Sequence, residues 1–497
     1  MRRVYYNGTI ITMEDDIYAD YAVTENGIIK EAGRGSAPEA DEYVDLKGNT
    51  LMPSFIDPHS HMTSVAYSFL RVQLDEITSI KEIKEKIEKF IVSGNKQNQW
   101  VVAMGYDNNI LEEKRHITHK DLDEIPGGCA IVVEHKSGHS GVFNTEAQKR
   151  LGITSSVNGL MEETPYLEKL KEIPLEEGQA LMDAYKKAQD KYFSYGITTA
   201  QEGYGLGMLL PLYKGLMEAG ILKIDLVAYP DFDSIEKWYS AFPKSRDKYD
   251  RSFKIGGLKI MLDGSPQGKT AWISGTYTDG TCGYPALSDE EVNKAVSWAA
   301  ENNVQVISHC NGDMACEQFI DAVGRCKNKR AVIIHAQLLR KDQLDKVKEY
   351  EMIPSFFVAH TFHWGDTHIK NFGLERAKTI SPANSALKKG ILFTFHQDTP
   401  VIEQDMFETV WCAVKRQTKD GVILGEDERI SVLEALKAVT VNAAYQYFEE
   451  GTKGVIKEGA KENLIIVDKD PLKAEIDDIK NIKILKTIKD GNTVYSA

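Results

Sequence analysis

Short apolar runs alternate with amphipathic stretches over most of the chain. Eight such runs stand out, at 51–56, 196–200, 224–229, 256–262, 304–308, 331–334, 353–358 and 391–395. Most are continuously apolar rather than alternating, the pattern expected of parallel strands covered on both faces. Eight strands with helical connections suit a (β/α)8 TIM barrel.

Both ends of the chain read differently. Val4-Tyr5-Tyr6, Asn7-Gly8 and Thr9-Ile10-Ile11-Thr12 have the form of a hairpin through an Asn-Gly turn. Tyr21–Thr24 and Gly27–Lys30 suggest a second hairpin, through Glu25-Asn26. Later, Asn463–Val467, Ile482–Leu485 and Thr493–Tyr495 are strand-like. Neither end has enough strands for a stable sheet. They are expected to pair into a composite β-sandwich domain of residues 1–50 and 446–497, giving an α/β protein overall. The barrel then occupies 51–445, and a large insertion, about 63–190, follows its first strand. That insertion holds a charged helix, Ser79–Val92, and a strand-like run, Cys129–Val133.

Composition narrows the functional classes. Sixty basic against 74 acidic residues give a net charge of −14, without a Lys/Arg-rich run, so nucleic acid is not an expected partner. The six cysteines are scattered without a CxxC pair and read as buried thiols of a reducing compartment. Acidic residues arrive at Glu14-Asp15-Asp16, before any apolar leader, and no run approaches the ~20 apolar residues of a membrane span. A cytoplasmic protein with no membrane partner is expected.

The unusual residues sit where the predicted strands end, which is where a parallel barrel places its chemistry. The first strand runs into Asp57-Pro58-His59-Ser60-His61. Histidines one residue apart in an extended segment share a face, so both can hold one ion. The fifth, sixth and eighth strands end at His309, His335 and His396-Gln397-Asp398. Imidazole with carboxylate suits zinc, with manganese, iron or nickel as alternatives. Lys259 lies inside the apolar fourth strand, where a lysine needs a partner. Either it pairs with Asp57 or Asp263, or burial supplies the neutral amine that carbon dioxide carbamylates.

These motifs resemble the amidohydrolase superfamily. Pro53–His61 is similar to its first-strand HxH motif. Lys259–Ser265 with Thr270-Ala271, Ser308–Asp313, Ile334–Gln337 and Gly138-His139 with Asn144 resemble the branch of N-substituted formamide deformylases, the amidohydrolase 3 family. Gly454–Gly459 with Asn463-Leu464 resembles its closing β segment. The chain departs from that branch at His396-Gln397, where Gly-Ser is usual, and at Glu462-Asn463-Leu464, where Ala-Asp-Leu is usual. The resemblance implies two divalent ions, expected to be zinc. His59, His61 and Asp398 would hold one and His309 and His335 the other, with carbamylated Lys259 and a hydroxide bridging. It further implies hydrolysis of a C–N bond in a small amide, formamide or N-acyl substrate, with Asp398 as catalytic proton shuttle. A homodimer is expected by the same analogy.

Other polar residues are read more openly. His139 is a candidate substrate-binding residue over the barrel mouth, or a loop-structuring one. His360 and His363 follow the seventh strand and either bind substrate or pack under a lid. His396 reads as a hydrogen-bonded core residue and Asp313 as a helix N-cap. Asp57 either orients a ligand or caps its turn. The aromatic cluster Phe356-Phe357 through Trp364, with Trp272 and Tyr277, suggests an apolar substrate group or simply core. The alternatives are a mononuclear ring deaminase, an ester, lactone or phosphotriester hydrolase of the same superfamily, and a non-catalytic binding protein. Deaminases generally place a Glu just after the fifth-strand His, whereas here His309 is followed by Cys310-Asn311-Gly312-Asp313 and the first Glu is Glu317.

Overall fold

The computed structural model describes every residue except 76, 95, 109, 137–139 and 175–177. His139 therefore lies outside the described residues. The chain divides into two compact units, Met1–Met62 with Ala188–Ala497, and Thr63–Lys187.

In the first unit the parallel strands fall into two sheets. A four-stranded sheet contains Phe55–Ile56, Ile197–Gly205, Asp225–Pro230 and Phe253–Ile255. A five-stranded sheet contains Gly257–Met261, Gln305–Cys310, Val332–His335, Ile353–Phe356 and Thr394–Phe395. All pairings are parallel. The fourth apolar run is the single strand Gly257–Met261, and Phe253–Ile255 just ahead of it is a further strand that the apolar pattern did not separate; the break falls at Gly256, where an added Cβ would stand 2.5 Å from Val227. An isolated bridge between Asp231 and Lys259 joins the sheets there. Hydrogen bonding does not close the ring on the other side among the described residues, because Ile56 N bonds Val439 O instead of a strand. The first run divides. Thr50–Pro53 joins a different sheet, and only Phe55–Ile56 lies among the parallel strands.

That different sheet has six strands and interleaves the two ends of the chain. Thr50–Pro53 pairs parallel with Thr9–Ile11 on one side and antiparallel with Leu464–Val467 on the other. The expected hairpin at Asn7-Gly8 does not form. Arg2–Tyr6 belongs to a four-stranded sheet with Tyr21–Glu25 and Glu42–Asp45, whereas Thr9–Ile11 belongs to the six-stranded one. Gly8 instead packs under Leu46 and Asn49, so the turn diverts the chain between sheets. The second hairpin does form, with its turn one residue later than expected, at Asn26-Gly27 rather than Glu25-Asn26, both residues having positive φ as a tight turn requires. The unusual Glu462 is buried and accepts hydrogen bonds from Tyr5 (2.7 Å) and Arg3 (2.8 Å), a structural joint between the ends.

A buried ionic cluster lies at the N-terminal ends of the parallel strands. Asp225 begins its strand and pairs with Lys453 (2.6 Å) and Lys489 (2.9 Å), while Glu449 pairs with Lys453 (2.7 Å) and Lys254. Conserving charge balance there fixes the closing segment, since buried charges persist only when paired.

Thr63–Lys187 has its own five-stranded sheet, mixed parallel and antiparallel. The helix Ile80–Ser93 lays Ile80, Ile83, Ile87 and Ile91 against it, a single apolar stripe at helical spacing. Asn144 is structural: its carbonyl accepts from Ile131 N and Ala147 N, and its amide donates to Cys129 O.

Candidate metal centre

The C-terminal ends of the parallel strands bring His59, His61, Lys259, His309, His335 and Asp398 together. His309 is the penultimate residue of its strand and His335 the last of the next, in register with Cys310. Asp398 Oδ1 stands 3.1 Å from His61 Nε2 and 3.4 Å from His59 Nε2, and Oδ2 is 3.9 Å from His335 Nε2. His335 Nε2 lies 3.0 Å from His309 Nδ1. Single donor atoms of His59, His335 and Asp398 all fall within 4.8 Å of one another. His335 and Asp398 adopt left-handed φ of 72° and 56°, a strain of about 1–3 kcal/mol each that such sites often hold.

The hydrogen-bond network fixes which imidazole nitrogen faces inward. Gln201 Nε2 donates to the Pro58 carbonyl (2.8 Å) and to Tyr447 Oη (3.0 Å), so its Oε1 is the atom 2.6 Å from His59 Nδ1. An amide oxygen only accepts, so Nδ1 carries the proton and Nε2 turns a lone pair toward Asp398. His309 Nε2 lies 3.2 Å from the Gly264 carbonyl and 3.0 Å from Asn311 Nδ2, an acceptor and a donor, so either tautomer of that ring is matched there. Gly203 is dictated by this packing, since an added Cβ would lie 2.5 Å from His59 Cε1.

Burial sets the protonation of the centre. It holds His59 and His335 well below the usual imidazole range and lowers His309 to about 4. Burial opposes charge on His61 too, but the Asp398 carboxylate outweighs it and raises that ring. Lys259 is lowered to about 8 by desolvation, and its Nζ is buried without a hydrogen-bond partner. Asp398 Oδ1 and Asp57 Oδ2 are buried and equally unmatched. The carboxylates at Asp57 and Asp263 do not pair with Lys259. Asp57 accepts from His59 N (3.2 Å), and Asp263 takes three backbone amides, from Asn311, Gly312 and Trp272. Asp57 is thus a turn cap.

A largely buried cluster of lone pairs, one orphaned carboxylate oxygen and one orphaned amine is costly unless a positive ion sits among them. The donor set, imidazole nitrogen with carboxylate, is that of a divalent transition metal. An ammonium at Lys259 would repel such an ion, whereas a carbamate there would add an anionic donor.

The remaining candidates are placed as follows. His360 is buried, with Nδ1 3.0 Å from His368 Nε2 and its ring against Phe357 and Trp364. His363 Nε2 lies 2.8 Å from Glu408 Oε1. His396 is buried, between Ser355 Oγ (2.9 Å) and His335 Nδ1 (3.1 Å). Tyr277 packs with Ile273, Leu338 and Leu424 as core. Asp313 is not the expected N-cap. Gly312 occupies that position, and the Asp313 carboxylate instead binds Ser274, Arg340 (2.9 Å) and Arg376 (2.8 Å). The missed residues are Gln201 and Ser355. Ser355 is a single polar side chain inside a buried strand, whereas Gln201 sits among Thr198, Thr199 and Glu202, where nothing in the sequence marks it out.

A cluster of this kind at the ends of parallel strands defines a metal-dependent hydrolase on a TIM-barrel-type α/β fold. The amidohydrolase family model matches residues 42–495, and the chain belongs to that family. It is accordingly a hydrolytic enzyme for carbon–nitrogen bonds, with a divalent metal and a small-molecule substrate. The chain is 24% identical over 538 residues to a putative amidohydrolase, YtcJ, of Bacillus subtilis, covering 100% of this chain and 99% of that one. It is 24% identical over 502 residues to an N-substituted formamide deformylase of Arthrobacter pascens (93% and 91% covered). A crystal structure of an uncharacterized metal-dependent hydrolase from Pyrococcus furiosus superposes with a TM-score of 0.81 at 25% identity, covering 95% of this chain and all of that one. No helix among the described residues is long and apolar enough to cross a membrane.

Proposed function

We propose that the chain is a binuclear hydrolase of formamides or related N-acyl compounds. His59, His61 and Asp398 would hold one divalent ion and His309 and His335 the other, with carbamylated Lys259 shared between them. The observation that carries this reading is the orphaned Lys259 Nζ set among inward lone pairs. Zinc fits the donor set best. The same reading takes 1–50 and 446–497 as a composite β-sandwich and 51–445 as a (β/α)8 barrel with residues 63–190 inserted; the interleaved six-stranded sheet supports it.

When bound, the ions supply Lewis acidity that polarises the substrate carbonyl and acidifies water. The chain's own residues do the rest. Asp398 accepts a proton from the attacking water as the O–C bond forms. It then delivers that proton to the departing nitrogen as the C–N bond breaks, leaving a carboxylic acid and an amine. Neighbouring imidazoles outweigh the burial of Asp398 and hold its carboxylate below the usual range, so it is ionised and ready to accept. Gln201 holds the His59 tautomer that this needs.

A second reading has one observation behind it: the close set His59, His335 and Asp398 could hold a single ion. The deaminase form of that reading lacks its acid, because Glu317 is engaged by Arg340 (2.9 Å), Gln343 (2.7 Å) and Lys346 (2.8 Å). Elemental analysis after reconstitution with zinc and bicarbonate separates the two. About two ions per chain, falling sharply in Lys259→Ala, with amine released from N-substituted formamides, is expected. One ion unaffected by that substitution favours the mononuclear reading, and none after reconstitution overturns both.

A further inference from the structure

The loop that follows the strand of Lys259 is long, residues 263–285, and its ends meet where Ala286 N donates to the Leu262 carbonyl (2.7 Å). Loops of such length are usually functional or disordered, and this one is held along its course. Near its start the Gly264 carbonyl lies 3.2 Å from His309 Nε2 and accepts from Asn311 Nδ2 (2.9 Å). Trp272 N donates to Asp263 (3.0 Å), and the Trp272 carbonyl accepts from Met314 N (3.2 Å). An added Cβ at Gly312 would stand 1.8 Å from that carbonyl oxygen, so the loop lies directly on the turn that follows His309. Ile273 and Tyr277 pack with Leu338, three residues past His335, and with Ala377 and Ile380. Asn371 donates to the Pro266 carbonyl (3.0 Å). The loop is therefore a strap across the ends of the strands that carry His309 and His335, fastened beyond them to the helices Gly365–Phe372 and Leu374–Ala377.

Asp263 holds the near end of the strap, and Asp313 holds its crest. The Asp313 carboxylate is fully buried. Its Oδ1 accepts from Ser274 N (3.0 Å) and Arg376 Nη2 (2.8 Å), and its Oδ2 from Arg340 Nη1 (2.9 Å) and Ser274 Oγ. Ser274, Arg340 and Arg376 follow the fourth, sixth and seventh apolar runs, and Asp313 follows the fifth. One carboxylate thus joins four loops at the end of the sheet where His309 and His335 lie. Without it Arg340 keeps Glu317 (2.9 Å) and Asp342 (3.0 Å), but both Ser274 donors lose their acceptor and the strap loses its anchor. The other half of the centre is held from elsewhere. His59 Nδ1 meets Gln201 at 2.6 Å, and His61 N donates to the Thr399 carbonyl (2.9 Å).

We propose that Asp313 is the positioning residue for the His309–His335 half of the centre. It pins the strap, and the strap fixes His309 through the Gly264 carbonyl and through the turn at Asn311-Gly312. This rests on the binuclear reading above. Asp313 makes and breaks no bond in the reaction and acts only through His309.

The test is zinc bound per chain, measured by elemental analysis over a series of buffered free-zinc concentrations with bicarbonate, on the full-length wild type, Asp313→Asn and Ser274→Ala. Both variants are expected to bind one ion as the wild type does. For the second ion Asp313→Asn is expected to need about 10-fold more free zinc, and Ser274→Ala, which gives up one hydrogen bond, about 3-fold more. Amide hydrogen exchange over residues 263–285 is expected to quicken in both. A folded Asp313→Asn that melts at a lower temperature but binds both ions with wild-type affinity overturns the proposal, as does wild-type exchange across the strap. Where Asp313→Asn does not fold, Ser274→Ala keeps the carboxylate and both arginines and decides the matter by the same two measurements. A wild type that binds one ion or none overturns the binuclear reading and the proposal with it. A wild type that binds two, matched by both variants, overturns the proposal alone.

Discussion

Gln201 and His59 meet at 2.6 Å, joining the second parallel strand to the loop that carries both histidines of the HxH motif. The contact matters because it decides which nitrogen of His59 is free. Gln201→Leu removes the acceptor and leaves a buried N–H unmatched. Metal affinity measured by competition with a chromophoric chelator should fall about 10- to 100-fold with the fold retained. An unchanged affinity would remove Gln201 from the centre.

Lys259 should report its own chemistry. Zinc loading in carbon-dioxide-free buffer should stall well short of the level reached with bicarbonate, and intact-protein mass spectrometry of the loaded enzyme should show one added CO2. Equal loading in both buffers would argue for an unmodified lysine.

Gly203→Ala tests the close packing beneath His59. The added Cβ would stand 2.5 Å from Cε1 and 2.9 Å from Nδ1, so the ring must move. Overpacking of this kind costs about 1–3 kcal/mol. A lower melting temperature together with weaker metal binding is expected; a loss of stability alone would mean that the ring had kept its position.

The Asp225 cluster should make stability acid-sensitive. Burial would raise this carboxyl, but Lys453, Lys489 and Lys461 outweigh it and hold it below the ordinary carboxylate range. A group depressed in the folded state stabilises above its unfolded value, roughly 4, and that contribution is lost as pH falls through the folded value. Asp225→Asn should therefore cost about 3–5 kcal/mol at pH 7, the usual penalty for breaking a buried pair. The gap from wild type should narrow below about pH 4. Denaturant melts across that range, showing a pH-independent gap, would contradict this.

Much of the centre was legible because each histidine terminates an apolar run, and a parallel sheet exposes its chemistry at that end. Gln201 was not, because it stands among the polar residues Thr198, Thr199 and Glu202 of its strand, and Ser355 was not, because one polar residue in an apolar run looks the same at a strand edge as beside an interior partner. Asn7-Gly8 was misleading for a related reason. A turn signal specifies a reversal of the chain but not the sheet that each arm joins, and Leu46 and Asn49 decide that from a distance. Asp313 was drawn from its expected cap by Arg340 and Arg376, partners far away in sequence.

The six-stranded sheet has a consequence for synthesis. Thr50–Pro53 obtains one neighbour early, from Thr9–Ile11, but its other edge is covered only by Leu464–Val467. At ordinary translation rates the intervening chain takes about 20–80 seconds to emerge. Throughout that interval the nascent chain presents a buried-type apolar edge to its surroundings. Ribosome-bound chains arrested before residue 464 should consequently depend on chaperones in a way that the released protein does not.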